Sequence, residues 1–239
     1  MSNVAQRATA GAGNAEGVFD AMFPRQCLLC LAPSAGCALC AGCSADLPRM
    51  GSDNCPVCAL PTPGGAVCGA CLKRPPHFDA TSAVYLYRFP VDRLVHSLKY
   101  GHRLAGADFL GDALRDAHDN WRPDVLLPVP LSAARLAERG FNQALELARP
   151  LARRLGLAIE TEGVLRGIDT APQAGLPWKE RARNMRHAFE CRIDFGGRSV
   201  LVIDDVITTG ATLDELAATL KAAGASRVAN LVLARALKE

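Results

Sequence analysis

From Phe78 to the C-terminus, short apolar blocks rich in β-branched residues alternate with apolar stripes of helical spacing. The alternation predicts strands near Ala83–Tyr87, Val125–Val129, Val164–Arg166, Val200–Asp204 and Val228–Ala234. Helices fill the intervals. The clearest covers Thr212–Ala223, where Leu213, Leu216, Ala217 and Leu220 make one stripe and Gly224 takes the C-cap position. Parallel strands need helical crossovers, so this texture reads as an α/β fold with a central, mainly parallel sheet. The run Val200-Leu-Val-Ile203 is apolar throughout, as expected of an inner strand buried on both faces.

Ahead of Phe78 the periodicity is lost. Residues 1–17 are small and polar, too poor in apolar surface to offset the entropy of ordering, and read as a flexible tail. Val18, Phe19, Met22 and Phe23 form a short helical pattern that Pro24 ends. A segment rich in Gly and Pro follows, closed by the stiff Arg74-Pro75-Pro76. The chain therefore divides into a tail (1–17), a cysteine module with its short N-terminal helix (18–76) and a main domain (77–239).

Composition adds one strong signal and removes several classes. The net charge of +3 does not by itself announce a nucleic-acid protein. No apolar run approaches the roughly 20 residues that cross a bilayer, and the N-terminus has no continuous hydrophobic block, so neither a membrane span nor a signal peptide is read. Nine of the ten cysteines lie between Cys27 and Cys71, mostly as C-x-x-C pairs. That is metal spacing, expected of a reducing, cytoplasmic setting, rather than a disulfide framework. Cys27, Cys30, Cys40 and Cys43 form one candidate set of four thiolates, and Cys55, Cys58, Cys68 and Cys71 the other. Each set would close a tetrahedral structural zinc site, and an iron–sulfur cluster is the alternative occupant. Cys37 is read as a spare, although the spacing Cys37-x-x-Cys40-x-x-Cys43 lets either pair serve. Cys191 reads as an ordinary small residue of the main domain.

The richest stretch is Val200-Leu-Val-Ile-Asp-Asp-Val-Ile-Thr-Thr-Gly-Ala-Thr212. Ligands of open α/β sheets bind beyond the carboxyl ends of strands, where Asp204 and Asp205 are expected. Paired carboxylates there could accept hydrogen bonds from a ribose diol or hold the water shell of a magnesium ion. Thr208, Thr209, Gly210, Ala211 and Thr212 offer consecutive backbone N–H groups and three hydroxyls at a helix N-terminus, which suits a phosphomonoester. Without a ligand, the same residues would make a simple capping turn.

This stretch resembles the phosphoribosyl-diphosphate motif of type I phosphoribosyltransferases. The resemblance implies that fold, with Asp204 and Asp205 as the catalytic acids on the ribose hydroxyls, Thr208–Thr212 on the 5-phosphate, and magnesium bound with the phosphoribosyl diphosphate. A second strand, Asp124-Val-Leu-Leu-Pro-Val-Pro130, leads to Arg135 and to Arg139-Gly-Phe-Asn-Gln143. Arg139 is the candidate contact to the diphosphate, and Arg135 is a weaker one.

Together with the cysteine pairs, Leu98-Lys-Tyr100, Pro128-Val-Pro130, Arg139-Gly-Phe-Asn-Gln143 and the Gln173, Arg181, Asn184, Phe189 pattern resemble the ComF family from Phe23 onward. That resemblance implies a double zinc ribbon joined to a phosphoribosyltransferase-like domain. It also implies a part in handling single-stranded DNA during natural transformation, with that DNA and a competence helicase as partners. The alternative is an active phosphoribosyltransferase of nucleotide or related metabolism with an unknown acceptor.

Two basic stretches, Arg88, Arg93, Lys99, Arg103 and Lys179, Arg181, Arg183, Arg186, could meet a phosphate backbone. Tyr85, Tyr87, Phe89, Tyr100, Trp121 and Trp178 are the candidate aromatic platforms for bases. His96 and His102, beside Lys99, read as surface histidines.

Overall fold

A computed structural model describes residues 26–34, 36–100, 106–117, 121–167 and 188–237. The expected tail, the Val18–Phe23 helix, His102, Arg103, Gln173, Trp178 and the basic stretch 179–186 lie outside the described residues. The chain forms two compact units, Met1–Asp46 and Leu47–Glu239. The first carries helix α1 (Ala41–Ala45) and the turn after Cys27. The second holds the other cysteine set with helix α2 (Gly69–Lys73) and all of the sheet.

The second unit continues as β1 (Ala80–Leu86), α3 (Val91–Tyr100), α4 (Ala107–Asp116), β2 (Val125–Pro128), α5 (Ala133–Arg139), α6 (Gln143–Leu155), β3 (Val164–Arg166), β4 (Phe189–Cys191), β5 (Ser199–Ile207), α7 (Ala211–Ala222) and β6 (Arg227–Arg235). Four strands form a parallel sheet in the order β1-β6-β5-β2, and β3 pairs antiparallel with β4 in a separate ribbon. The apolar runs behave as their composition demands. Every residue of β6 after Arg227 is buried, and β5 is buried from Val200 to Ile203.

Successive side chains of a strand face opposite ways, so the sheet needs cover on both sides. On one side, Val125, Leu127, Val200 and Val202 pack with Leu213, Leu216, Ala217 and Leu220 of α7. Leu126, Leu201 and Ile203 alternate with them and are buried as well, on the side that α4 and α6 cover. Helix α4 approaches α6 closely because of Gly111: a Cβ there would lie 2.6 Å from Cγ of Pro150. We expect Gly111→Ala to cost about 1–3 kcal/mol, seen as a lower melting temperature. An unchanged melt would mean that the helix pair can slide apart freely.

Both sheet edges are occupied. Residues 48–50 run antiparallel along β1, with Leu86 N–H donating to Pro48 O at 2.8 Å and Met50 N–H to Val84 O at 2.9 Å. At the far edge, Leu126 N–H donates to Ala158 O at 3.0 Å and Glu160 N–H to Leu126 O at 2.8 Å. Such cover keeps unpaired amide rows from recruiting other chains.

The sequence pattern misses β4, a three-residue strand whose pairing with β3, not its own periodicity, defines it. It also ends β5 too early. The strand runs through Asp204 and Asp205 to Ile207, because β6 is long enough to pair Asp204 with Val232 and Ile207 with Arg235.

Candidate functional site

The C-terminal end of the sheet gathers most of the residues singled out by chemistry. Val129 N–H donates to Ile203 O at 2.9 Å, which sets Pro128-Val-Pro130 beside the start of the diacid. Pro130 cannot donate to a ladder, and the chain leaves the sheet there. Ser132 caps α5, and Gly140 ends it with φ +76°, a left-handed turn that glycine adopts without strain. Asn142 then caps α6 through Ala144 N–H, while its Nδ2 donates to Val129 O at 3.0 Å. That bond folds the Arg139–Gln143 corner back onto the end of β2. Arg139 Nη1 donates to Gln143 Oε1 at 3.1 Å, and its guanidinium lies 5.4 Å from the centre of the Tyr100 ring.

Helix α3 connects this corner to the acids. Its face of Val91, Leu94, Val95 and Leu98 is buried, and the next residue, Lys99, places Nζ 2.7 Å from Asp205 Oδ2. Both partners are largely buried, with side chains 22% and 5% exposed. An unpaired carboxylate at that depth would be costly, and Lys99 supplies Asp205 with its partner. Strand alternation puts Asp204 on the other face, the side of Val200 and Val202. Withdrawal from water and the neighbouring Asp205 charge push Asp204 up to about 7, opposed by Lys99 and Arg166. The two acids are therefore unlike: Asp205 is paired with a lysine, and Asp204 is pushed up to about 7.

After Ile207 the chain turns through Thr208 and Thr209 into Gly210, which has φ +82° and is the N-cap of α7 with no side-chain cap. A Cβ on Gly210 would meet Ile207 Cδ1 at 3.6 Å and the Phe78 ring at 3.8 Å, so the left-handed φ, rather than space, calls for glycine. The helix's own bonding starts with Asp214 N–H to Gly210 O at 2.8 Å, and Ala211 N–H goes to Thr209 Oγ1 at 3.3 Å. The amides of Thr212 and Leu213 fall in the first turn, where an α-helix supplies no carbonyl partner. The turn thus ends in a helix mouth able to take an anion. A cavity of about 360 Å³, lined among others by Arg49, Asn54, Thr81 and Asp116, lies apart from it, and no residue of Asp204–Thr212 lines that cavity.

The cysteines converge as two groups, Cys27, Cys30, Cys40, Cys43 and Cys55, Cys58, Cys68, Cys71, with the sulfurs of each group all within 4.8 Å of one another. Cys37 is exposed and belongs to neither group. Cys191 is partly buried, and its Sγ donates to Ile193 O at 3.2 Å. Each group is built the same way. Cys27 N–H donates to Ala32 O and Leu31 N–H to Cys27 O, and Cys55 N–H donates to Leu60 O and Ala59 N–H to Cys55 O. Leu31 and Ala59 both take positive φ. Within each group the thiols compete for negative charge. Burial works against Cys27 ionising, but backbone donors from Cys30, Cys40 and Leu29 win and bring it down to about 6. Hydrogen bonding to Cys30, with burial, drives Cys43 up to about 12. Cys55 falls to about 7 by the same balance as Cys27, while burial raises Cys58 and Cys71. Four sulfurs that cannot all ionise alone suit a divalent cation at their centre, and all-thiolate tetrahedral closure suits zinc.

Three polar residues at this end escape the sequence reading. Lys99 stands in a basic run that suggests a solvated face, yet it is turned inward to Asp205. Arg166, whose charge acts on Asp204, sits on a short strand with no motif. Arg235 closes a strand that is apolar between Arg227 and Arg235 but for Asn230, and is buried. A cation at the end of a buried run was the available signal for it. Among the expected aromatic platforms, Tyr85 is fully buried and belongs to the core, whereas Tyr87, Phe89 and Tyr100 are exposed. Trp121 lies 4.4 Å beneath Arg227. His96 packs on Tyr100 with ring centres 4.9 Å apart.

A parallel sheet with a diacid strand, a glycine turn and a following helix, preceded by paired four-cysteine knuckles, defines a zinc-ribbon protein with a type I phosphoribosyltransferase fold. Family comparison agrees: the double zinc ribbon domain matches residues 18–72 and the phosphoribosyl transferase domain residues 102–239. The DNA utilization protein YhgH of Escherichia coli (strain K12) is 36% identical over 173 residues, covering 70% of this chain and 76% of that protein. Competence protein F of Haemophilus influenzae is 34% identical over 175 residues, covering 69% and 76%. The chain belongs to the ComF family. A purine phosphoribosyltransferase from Pyrococcus horikoshii is similar more loosely, with a TM-score of 0.32 and 22% identity over 55% of this chain and 72% of that one. No described helix is long and apolar enough to cross a membrane.

Proposed function

We propose that the protein is a cytoplasmic binder of phosphoribosyl diphosphate with magnesium that assists the handling of single-stranded DNA in natural transformation. The observation that carries the reading is the meeting, at one end of the sheet, of Asp204 and Asp205 with the Thr208–Thr212 turn. In this reading Asp204 and Asp205 take the ribose hydroxyls and the magnesium shell, and the backbone and hydroxyls of Thr208, Thr209, Gly210, Ala211 and Thr212 take the 5-phosphate. Arg139, clamped by Gln143 and Tyr100, faces the diphosphate. Residues 77–239 form the sugar-phosphate domain. Both cysteine sets hold structural zinc, which suits a reducing compartment. The relatives' names, DNA utilization protein and competence protein, favour a role with DNA in competence, and the family resemblance adds single-stranded DNA and a competence helicase as the proposed partners. Exposed Tyr87, Phe89 and Tyr100 beside Arg88 and Arg93 offer stacking and charge for such a strand.

Asp204 near neutrality favours a second reading, an active phosphoribosyltransferase. The acceptor's lone pair would form the bond to the anomeric carbon, the bond to diphosphate would break, and the acceptor's proton would pass to Asp204. Magnesium supplies charge neutralisation of the departing diphosphate.

Calorimetric titration with magnesium phosphoribosyl diphosphate, repeated with single-stranded DNA present, tests the first reading. Saturable sugar-phosphate binding is expected, with DNA binding that weakens steeply as salt rises. No heat at millimolar ligand would overturn the sugar-phosphate site, and salt-independent or absent DNA binding would overturn the partner. Magnesium-dependent diphosphate release on adding amines or bases would move the balance to the enzyme.

A further inference from the structure

Arg235 joins two features that the proposed function treats separately. It is 4% exposed, and its Nη1 donates to Ile207 O at 3.0 Å, to Ala236 O at 3.2 Å and to Thr208 O. Cys58 of the second cysteine group adjoins the same guanidinium, and Cys68 and Cys71 are near enough for their charges to act on it. The Nε–H of Arg235 is buried without a partner among the described residues. A neutral thiol accepts hydrogen bonds weakly, whereas a metal-bound thiolate is a strong anionic acceptor.

On its other side, the arginine controls the entry to the glycine turn. Ile207 O is also held by Ala236 N–H at 2.9 Å, as part of the sheet. Thr208 O lies beyond the ladder and accepts from Arg235. In a planar trans peptide the C=O and the next N–H point in opposite directions, so fixing Thr208 O toward Arg235 aims Thr209 N–H the other way. The arginine thereby sets the direction of an amide in the Thr208–Thr212 turn. The two ends are also packed together, because Val57 of the Cys55-Pro-Val-Cys58 turn touches both the thiol cluster and the core that contains Ile207 and Phe78.

We propose that Arg235 is a positioning residue through which metal occupancy of the Cys55, Cys58, Cys68, Cys71 group and ligand capture by the Thr208–Thr212 turn favour each other. The inference rests on the sugar-phosphate reading of that turn. It goes beyond it by making the second zinc ribbon a tuner of the site as well as a structural staple. A four-thiolate zinc centre carries net negative charge and holds the guanidinium firmly. Losing the metal weakens that hold, frees the Thr208–Thr209 peptide to rotate, and adds an ordering cost to binding.

Coupling between sites is reciprocal, so it can be read in the unaltered protein. Zinc affinity is measured by competition with a chelator, with and without magnesium-saturated phosphoribosyl diphosphate, using magnesium diphosphate as the control for zinc sequestration. Sequestration lowers the apparent affinity of both zinc sites. The coupling raises that of one site by roughly 5- to 100-fold and leaves the Cys27 group as an internal reference. In Arg235→Met the ligand-dependent rise is expected to vanish, and Arg235→Lys, which keeps the charge but not the fork of donors, should recover part of it. If calorimetry shows that the zinc-loaded protein does not bind the sugar diphosphate at all, the underlying reading fails. If it binds while zinc affinity at the second group stays unchanged, only the coupling is overturned, whatever the folding of the variants.

Discussion

The substitution Asp204→Asn should make the protein more stable at pH 8 and at the same time unable to hold phosphoribosyl diphosphate tightly. Burial and the Asp205 charge raise Asp204 from 3.8 to about 7. Between those values the folded state keeps a proton that the unfolded chain has released, so stability falls as pH rises through that window and the full penalty applies above it. The amide side chain removes the penalty while keeping the oxygen that accepts from Asp205 N–H at 2.8 Å. The gain should be on the order of 1–3 kcal/mol at pH 8 and shrink toward zero near pH 4, a trend that melting curves at the two pH values would resolve. Binding should move the other way, with a loss of tenfold or more in calorimetry, because an amide accepts less strongly from ribose hydroxyls and carries no charge for magnesium. A variant equally destabilised at both pH values would show that the carboxylate is not under electrostatic stress. Stress of this kind is what a site held ready for a ligand carries at the expense of the fold.

Stripping the metal should have the larger effect on structure. Structural zinc in small modules contributes about 10–16 kcal/mol of apparent binding free energy, and that energy is folding energy. Strong chelation should abolish ordered structure around α1, whose helix of five residues is too short to persist alone. The two ions should leave in order. Cys30 is exposed and Cys40 and Cys43 partly so, whereas Cys55, Cys58 and Cys71 are 0%, 8% and 8% exposed. The first group is expected to surrender its ion first, giving a biphasic release against a colorimetric chelator. Cys71→Ser should lower the melting temperature of the sheet-bearing unit by about 10 °C or more, since several kcal/mol are at stake. Monophasic release, or a melt indifferent to chelation, would remove the metal from the account.

Much of this was legible in the chain because each signal was local. The strand-to-turn-to-helix order of Val200–Thr212 needs only neighbours in sequence, and the long apolar strands announce themselves. The cysteine pairing was also written more plainly than a reading of C-x-x-C pairs suggests. Each cysteine of the second set follows its counterpart by 28 positions, which leaves Cys37 with no counterpart. What stayed hidden depends on tertiary placement. Lys99 looks like one charge in a basic run until α3 turns it onto Asp205. Arg166 and Arg235 act on groups 38 and 27 residues away in the chain, and no spacing rule foretells such meetings. The early end assigned to β5 has the same origin, since a carboxylate pair breaks an apolar pattern but not a ladder that β6 continues to supply.

The stretch Pro48–Met50, laid along β1, gives the cysteine-bearing segment a duty that has nothing to do with metal chemistry or ligands. It is the selvedge of the sheet. A gene split between Arg74 and Phe78 would release the phosphoribosyltransferase-fold domain with a raw seven-residue edge, inclined to stick to its own copies. The second ribbon and the domain after it are thus bound to be inherited as one piece, and recombination that shuffles ribbons among proteins is expected to cut upstream, near Asp46, where the compact units part.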